Sequence, residues 1–366
     1  MKENLNKDKK YTLPENVRIY RSEDEIRIRD GVWSFHEAVI NLSKESDNVK
    51  KAVQELFEKL KDGVSINPIE IKDRYNVSPR KIDEFTKLCE ELKRGGILTA
   101  ETENTHYHKI TRALLGEYIP ELKIAERRRM LFFSDTSYTK DAAKNMCSHL
   151  NIKLDIMEKE LFDELRKDDL TTKTDAIANI KSLEKYEKEL YPYSCIIGCL
   201  SDLQITFLRN LNRVLIHMEK PLSLAIIDGP FLSMLTIHPP QTGCLECFEN
   251  RILSRMEDHD SYHRFVDSQM KTAVQQKNFE CSPLLHMLTS MVISEGFLLS
   301  TIGKAKFMGR VLNIYLPVFE IQCQDILRLP FCPSCGYVAK GKAEEMYIDS
   351  KRLISEMLKK INVEKG

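Results

Sequence analysis

Two cysteine pairs with identical spacing, Cys244-Leu-Glu-Cys247 and Cys332-Pro-Ser-Cys335, constrain this chain more than any other feature. Each follows an expected strand and sits among turn residues: Gly243 precedes the first pair, and Pro333 and Gly336 belong to the second. Two thiolates presented by one tight turn can share a tetrahedral zinc, and two such turns complete a four-cysteine site. The 84 residues between the pairs exceed the gap in a zinc ribbon, so a metal here would join distant segments. Four thiolates leave no open coordination position, so the site is expected to be structural and not catalytic. The competing readings are free buried thiols and redox pairs. Two copies without a thioredoxin-like context disfavour the redox reading.

The rest of the composition sets broad bounds. A chain of 366 residues suggests two domains, and 42% hydrophobic with 30% charged residues suits ordinary globular cores. Lys+Arg and Asp+Glu both number 55, and this neutrality argues against a general nucleic-acid binder. No apolar run is read as approaching the roughly 20 residues that span a bilayer. Met1 to Lys10 is polar and mixed in charge, unlike a secretory signal, so a cytoplasmic location without membrane association is expected. Structural disulfides are rare there. Cys89, Cys147, Cys195, Cys199, Cys281 and Cys323 are accordingly expected as small core residues.

Residues 1–14 read as a frayed tail. Val17–Arg21 and Glu25–Arg29 alternate apolar and charged residues around Ser22-Glu-Asp24, which predicts a β-hairpin. Val32 to Leu42 is expected to be a third strand running into a helix. Amphipathic helices are expected over Asn48–Leu60 and from Ser78-Pro79 to Gly95-Gly96, with a shorter one over Pro68–Tyr75. Three strands and three helices describe a winged-helix domain over 15–100. A linker carrying one helix is placed at 101–126. From Met130 the pattern changes to strand, helix, strand, a βαβ unit that implies a parallel sheet. Further strands are expected at Ser194–Gly198, Leu222–Asp228 and Met234–His238, with helices at Gln204–His217 and Pro283–Ile302 and hairpin strands within Val311–Ile321. This α/β domain is placed at 127–345, with a C-terminal helix or tail at 346–366.

A dinucleotide- or ATP-binding unit of this kind needs glycines after its first strand, so that backbone can approach the phosphates. Here that turn reads Ser134-Asp-Thr-Ser-Tyr138, without glycine, and Tyr138 is expected to fill the phosphate space. His259 and His263 share one face if their segment is helical. A metal pair there lacks an evident third ligand, and a solvated helix is the better reading.

Lys220-Pro-Leu222, the strand to Asp228-Gly229, Leu235-Thr-Ile-His-Pro-Pro240 and Gly243-Cys-Leu-Glu-Cys247 resemble the ThiF/MoeB-type fold of ubiquitin-like-protein activating enzymes. Asn212 falls where that family carries an asparagine on the preceding helix, and Pro330-Phe-Cys-Pro-Ser-Cys-Gly336 matches its distal zinc pair. The departures are the missing glycine loop, Leu203-Gln204 in place of Asp-Asn, and Leu208 where an arginine is expected, with Arg209 one place off. Together with the N-terminal winged helix, and with Cys247–Arg251, Tyr315–Pro317 and Glu320–Gln322, the chain is similar to the SagC-type C protein of thiazole/oxazole-modified peptide biosynthesis, as in streptolysin S-like clusters.

That resemblance implies a Rossmann-type ThiF-like scaffold with a zinc site at Cys244, Cys247, Cys332 and Cys335 and an ATP site that has been lost. It implies a winged-helix recognition element that binds the leader of a ribosomal precursor peptide as an added strand. The leader would lie along Val32–Ile40 and against Ser78–Arg94, with Trp33, Phe35, Glu37, Arg80, Asp83, Glu84 and Lys87 as candidate contacts. Trp33, Phe35, Ile82 and Phe85 also read as small-domain core. The implied partners are a YcaO cyclodehydratase subunit, which forms azolines from Cys, Ser or Thr, a flavin-dependent dehydrogenase, and further copies of the chain.

Two rival functions remain open in the sequence. A working adenylating enzyme would need ATP contacts that these residues do not supply. A winged-helix transcription factor would read DNA with its third helix. That helix carries Arg80, Lys81, Lys87, Lys93 and Arg94 but also Asp83, Glu84, Glu90 and Glu91, a poor balance for phosphate contact.

Overall fold

The structure is a computed structural model and describes residues 9–22, 24–33, 37–103, 105–116, 129–171, 176–271 and 282–336. The chain divides into two compact units, Met1–Ile124 and Ala125–Gly366. Phe35, Cys281 and the segment 346–366 lie outside the described residues.

The N-terminal unit begins with β1 (Tyr11–Thr12), followed by the meander β2 (Val17–Arg21), β3 (Glu25–Asp30) and β4 (Glu37–Asn41). All three meander strands are antiparallel, in the order β2-β3-β4. Alternation fixes their faces: Val17, Ile26 and Ile28 point into the core, while Arg18, Tyr20 and Arg27 point out. Then come α1 (Asp47–Lys61), a single 3₁₀ turn at Pro68–Glu70, α2 (Ile71–Tyr75), α3 (Pro79–Arg94), β5 (Thr99–Ala100) and α4 (His106–Leu115). Ala52, Val53, Leu56, Phe57 and Leu60 of α1 meet Ile82, Phe85, Cys89 and Leu92 of α3 in one core, so Ile82 and Phe85 are core residues.

Two expectations change here. The supposed frayed tail contains β1, which pairs with β5; Tyr11 is 1% exposed and donates its hydroxyl to Glu90. Val32 and Trp33, expected in the third strand, lie in a bend after Gly31, whose φ is +74°, and the described strand covers Glu37–Asn41.

The C-terminal unit opens with β6 (Met130–Ser134), α5 (Ser137–His149), β7 (Leu154–Ile156), α6 (Lys159–Lys167), α7 (Ala176–Leu190), β8 (Cys195–Leu200), α8 (Ile205–Met218) and β9 (Leu222–Asp228). It continues with β10 (Phe231–Ile237), α9 (Leu245–Leu253), α10 (His259–Lys271), α11 (Ser282–Ile302), β11 (Arg310–Tyr315) and β12 (Glu320–Asp325). The sheet order is β12-β11-β10-β9-β8-β6-β7. β7, β6, β8 and β9 run parallel, and β9 to β12 form an antiparallel meander. The parallel strands β6 and β8 are buried along their whole length, as strands covered on both faces must be.

The segment 158–189 is dominated by charged residues, a composition typical of surface helix and loop. It nonetheless sends Phe162, Leu165, Leu170 and Tyr186 into the main core beside Phe207 and Leu211 of α8. On α11, apolar residues surround the helix, and by length and composition it could cross a membrane; 67% of that window is buried within the fold. It packs against β8, β9 and α5. The helix expected over Pro283–Ile302 is thus present, with Thr, Ser and Glu residues among its apolar ones.

Candidate functional site

The first cysteine pair opens α9, with Cys244 as its N-cap, and the second lies in the turns after β12. Fold topology brings them together: β10 leads into one turn, and β12, two strands away in the sheet, leads into the other. The four sulfurs lie within 4.8 Å of one another. Cys244 is 3.7 Å from Cys247 and 3.5 Å from Cys332, and Cys247 is 3.4 Å from Cys335. Tetrahedral Zn–S bonds of about 2.3 Å separate their sulfurs by about 3.8 Å, so this donor set can hold a metal ion. Hydrogen bonding among the sulfurs lowers the Cys247 and Cys332 thiols and raises those of Cys244 and Cys335.

Groups around the sulfurs prepare the cluster. A Cβ on Gly243 would lie 2.8 Å from the Ile326 carbonyl oxygen, and one on Gly336 would lie 2.4 Å from that of Cys332, so both turns need glycine. The Leu329 amide donates to Cys247 Sγ at 3.4 Å. Glu246, inside the first pair, accepts from Ser334, inside the second, and from Arg213 of α8 at 3.2 Å. Asn212 accepts from the Leu245 amide at 3.1 Å, and Arg209 makes an ion pair with Glu249 at 2.6 Å. The two residues that invited comparison with an adenylating site, Asn212 and Arg209, are therefore engaged in fastening α8 to α9.

A second place of interest is the crevice at the carboxyl ends of β6 and β8. Chain direction across the sheet reverses there, and open α/β sheets take ligands at such points. Asp135 occupies it. Its carboxylate accepts from the Ser201 amide at 2.9 Å, the Ser201 hydroxyl at 2.7 Å and the Asp202 amide at 2.9 Å. Backbone donors that could face a phosphate are taken by a side chain of the same unit. Tyr138, expected to fill this space, instead points outward, 42% exposed and 6.4 Å from the His286 ring. Leu208 is buried.

The candidate peptide contacts of the N-terminal unit are exposed. Trp33 is 93% exposed, and Glu37, Arg80, Asp83, Glu84 and Lys87 also face solvent. β4 is an edge of its sheet among the described residues. Lys81 bridges from α3 to Glu45, just past β4, at 2.8 Å. At the opposite end, Glu37 and Arg94 share a cleft of about 960 Å³ with Ile97, Lys109 and Arg112. Glu37 at the start of β4 and Arg94 at the end of α3 thus line one cavity.

Other candidates resolve simply. His259 and His263 are exposed on α10, and no third metal-ligating side chain joins them among the described residues. Cys89, Cys147, Cys195 and Cys199 are buried, and burial pushes each thiol up to about 12. Cys323 departs from the core expectation: it is exposed on edge strand β12. Asp135, Glu246 and Ser334 escaped the sequence reading, although Glu246 and Ser334 sit inside the cysteine pairs themselves.

No family model and no curated protein matches the chain. Solved structures do match. The heterocyclase TruD superposes with a TM-score of 0.60 at 13% identity, over 90% of this chain and 43% of that one. A heterocyclase in complex with substrate and cofactor gives 0.57 at 12% identity, over 90% and 40%. MccB of E. coli with MccA-N7isoASN gives 0.51 at 12% identity, over 89% and 100%. The chain shares its fold with these proteins. Identity this low establishes the fold alone, and the chain spans less than half the length of either heterocyclase.

Proposed function

We propose that this chain is the leader-recognition and scaffold subunit of a peptide cyclodehydratase, a SagC-type C protein. In this reading the N-terminal unit is a winged-helix recognition element. The leader of a ribosomal precursor peptide adds as a strand to the free edge of β4 and lies against α3, near Trp33, Phe35, Glu37, Arg80, Asp83, Glu84 and Lys87. Backbone pairing along the strand supplies affinity, and the cleft beside Glu37 and Arg94 receives a side chain that sets register. The C-terminal unit presents the peptide to a YcaO partner that forms azolines, with a flavin-dependent dehydrogenase as a further partner, all in the cytoplasm. Cys244, Cys247, Cys332 and Cys335 would hold a zinc ion whose contribution is to lock the two cysteine turns together.

The observation that carries the reading is Asp135. Its carboxylate takes the Ser201 and Asp202 amides at the carboxyl ends of β6 and β8, where open α/β sheets bind ligands, which supports a binding role over adenylation. The near-balanced charge of α3, five basic against four acidic residues, supports peptide over DNA as its ligand. Calorimetry tests the reading, with the full chain titrated by the leader of a short Cys/Ser/Thr-rich peptide encoded beside it. Binding that weakens about tenfold in Lys87→Glu, with no ATP binding, is the expected result. Tight ATP binding with pyrophosphate exchange would instead identify an adenylating enzyme. A steeply salt-dependent shift of duplex DNA would identify a regulator.

A further inference from the structure

The outward face of the β2-β3-β4 sheet carries an arrangement that folding does not explain. Arg18 and Arg29 sit directly opposite each other on neighbouring strands. Like charges in that position destabilise an antiparallel pair. Among the described residues neither makes an ion pair, Glu37 opposite Arg29 being paired with Arg27: Arg18 donates to the carbonyls of Glu15 and Val17, and Arg29 to the carbonyl of Val32. The Arg29 Nε–H is shielded from solvent and finds no acceptor. The third arginine on this face, Arg27, is paired with Glu25 at 2.9 Å and Glu37 at 3.6 Å. Two arginines bonded to backbone carbonyls, and to no carboxylate among the described residues, therefore stand opposite each other on neighbouring strands.

Apolar surface surrounds them. Tyr20 is opposite Arg27 and 44% exposed, and Val39, opposite Arg27 on the other side, is 48% exposed. The turn that Arg29 reaches toward carries Val32 at 64% and Trp33 at 93% exposure. Trp33 is the one tryptophan in the chain. An anion flanked by an apolar group would relieve the Arg18–Arg29 repulsion, satisfy Arg29 and cover the tryptophan.

We propose that this face is a docking surface for an acidic peptide segment of a partner protein, with a carboxylate held between Arg18 and Arg29 and an apolar side chain against Trp33. Arginine forks match carboxylate geometry, and such charge-assisted bonds are about twice as strong as neutral ones. Nucleic acid fits less well. Glu25 and Glu37 lie on the same face and would repel a continuous phosphate backbone, and two free cations fall short of the roughly 6–10 phosphate contacts of a typical binder. The surface shares Trp33 and Glu37 with the proposed leader contacts but draws its charge from Arg18 and Arg29, which the leader reading does not use.

Trp33 supplies the readout. The full chain is titrated with a short capped peptide of glutamate, aspartate and leucine that lacks tryptophan. Tryptophan emission is expected to shift to the blue as Trp33 is covered. Arg18→Gln/Arg29→Gln is expected to weaken binding at least about tenfold while melting at the same or a higher temperature, since the opposed charges are gone. Arg27→Gln is expected to bind like the parent. If the double variant does not fold, Arg18→Gln at an exposed position carries the comparison. The proposal is overturned if emission does not move, if a peptide with Gln and Asn in place of Glu and Asp binds equally well, or if the arginine variants bind as the parent does. Tighter binding of duplex DNA than of the acidic peptide also overturns it.

Discussion

Ser334 of the second cysteine pair donates its hydroxyl to the carboxylate of Glu246 in the first. The two turns are thus joined by a bond between their middle residues as well as by their sulfurs. Arg213 anchors the same carboxylate to α8. Partners behind metal ligands commonly set affinity by about 10–100-fold. Ser334→Ala and Glu246→Gln are therefore expected to release zinc to a chelator about tenfold faster than the parent. A chromogenic zinc indicator follows the release, and unchanged rates would assign the clasp no part in holding metal.

Removing the metal itself should cost more. Cys335→Ser is expected to bind no zinc stoichiometrically and to melt several degrees lower, with the loss concentrated in the C-terminal unit. Metal analysis beside calorimetric melting checks this, and a variant with parental zinc content and melting temperature would contradict the four-cysteine site.

Asp135 makes a different prediction. Asp135→Ala leaves the amides of Ser201 and Asp202 without acceptors and should destabilise the fold by about 1–3 kcal/mol, the cost of stranding partly buried donors. The variant should still fail to exchange pyrophosphate, because the glycine loop remains absent. Denaturant unfolding gives the first quantity and isotope exchange the second.

Glu295 gives a pH signature. It lies on α11, 2% exposed, and burial raises its pKa despite acceptance from the Phe307 and Lys306 amides. A carboxyl raised in the folded state keeps its proton where the unfolded chain has released it. Its stabilising contribution is therefore full below the unfolded pKa and declines as pH rises through the folded one, with a slope of at most about 1.4 kcal/mol per pH unit. Glu295→Gln should lack that decline when unfolding is measured across a pH series.

Tyr11 tests the N-terminal unit. Tyr11→Ala removes a fully buried ring and its bond to Glu90, and should destabilise that unit by about 3–5 kcal/mol. Proteolysis within 9–116 reports the effect.

Local periodicity made much of this fold legible. The β2–β3 hairpin and the helices α1, α3, α8 and α11 emerge within a residue or two of where their patterns place them, because each pattern needs only its own segment. Tyr11 was illegible because its burial depends on β5, distant in the chain and close in the fold. The crevice was half legible. Missing glycines are a local fact, but the residue that fills the space is chosen by the loop after β8, so Asp135 and not Tyr138 takes the role. Cysteine spacing revealed the ligands, whereas Glu246 and Ser334 acquire meaning only once the two turns meet. Cys323 shows the limit of composition: β12 has apolar neighbours in sequence but, among the described residues, no strand beyond it in the sheet.

The cysteine turns also impose an order on synthesis. Cys244 leaves the ribosome 88 residues ahead of Cys332, with α9, α10, α11, β11 and β12 still to follow the first turn. A lone pair of thiols must wait through that interval, reduced and unmetallated or loosely charged with zinc. With the zinc proposed above, full coordination would come only after the outer strands of the sheet have been made, and metal capture would become a checkpoint that registers completion of the scaffold.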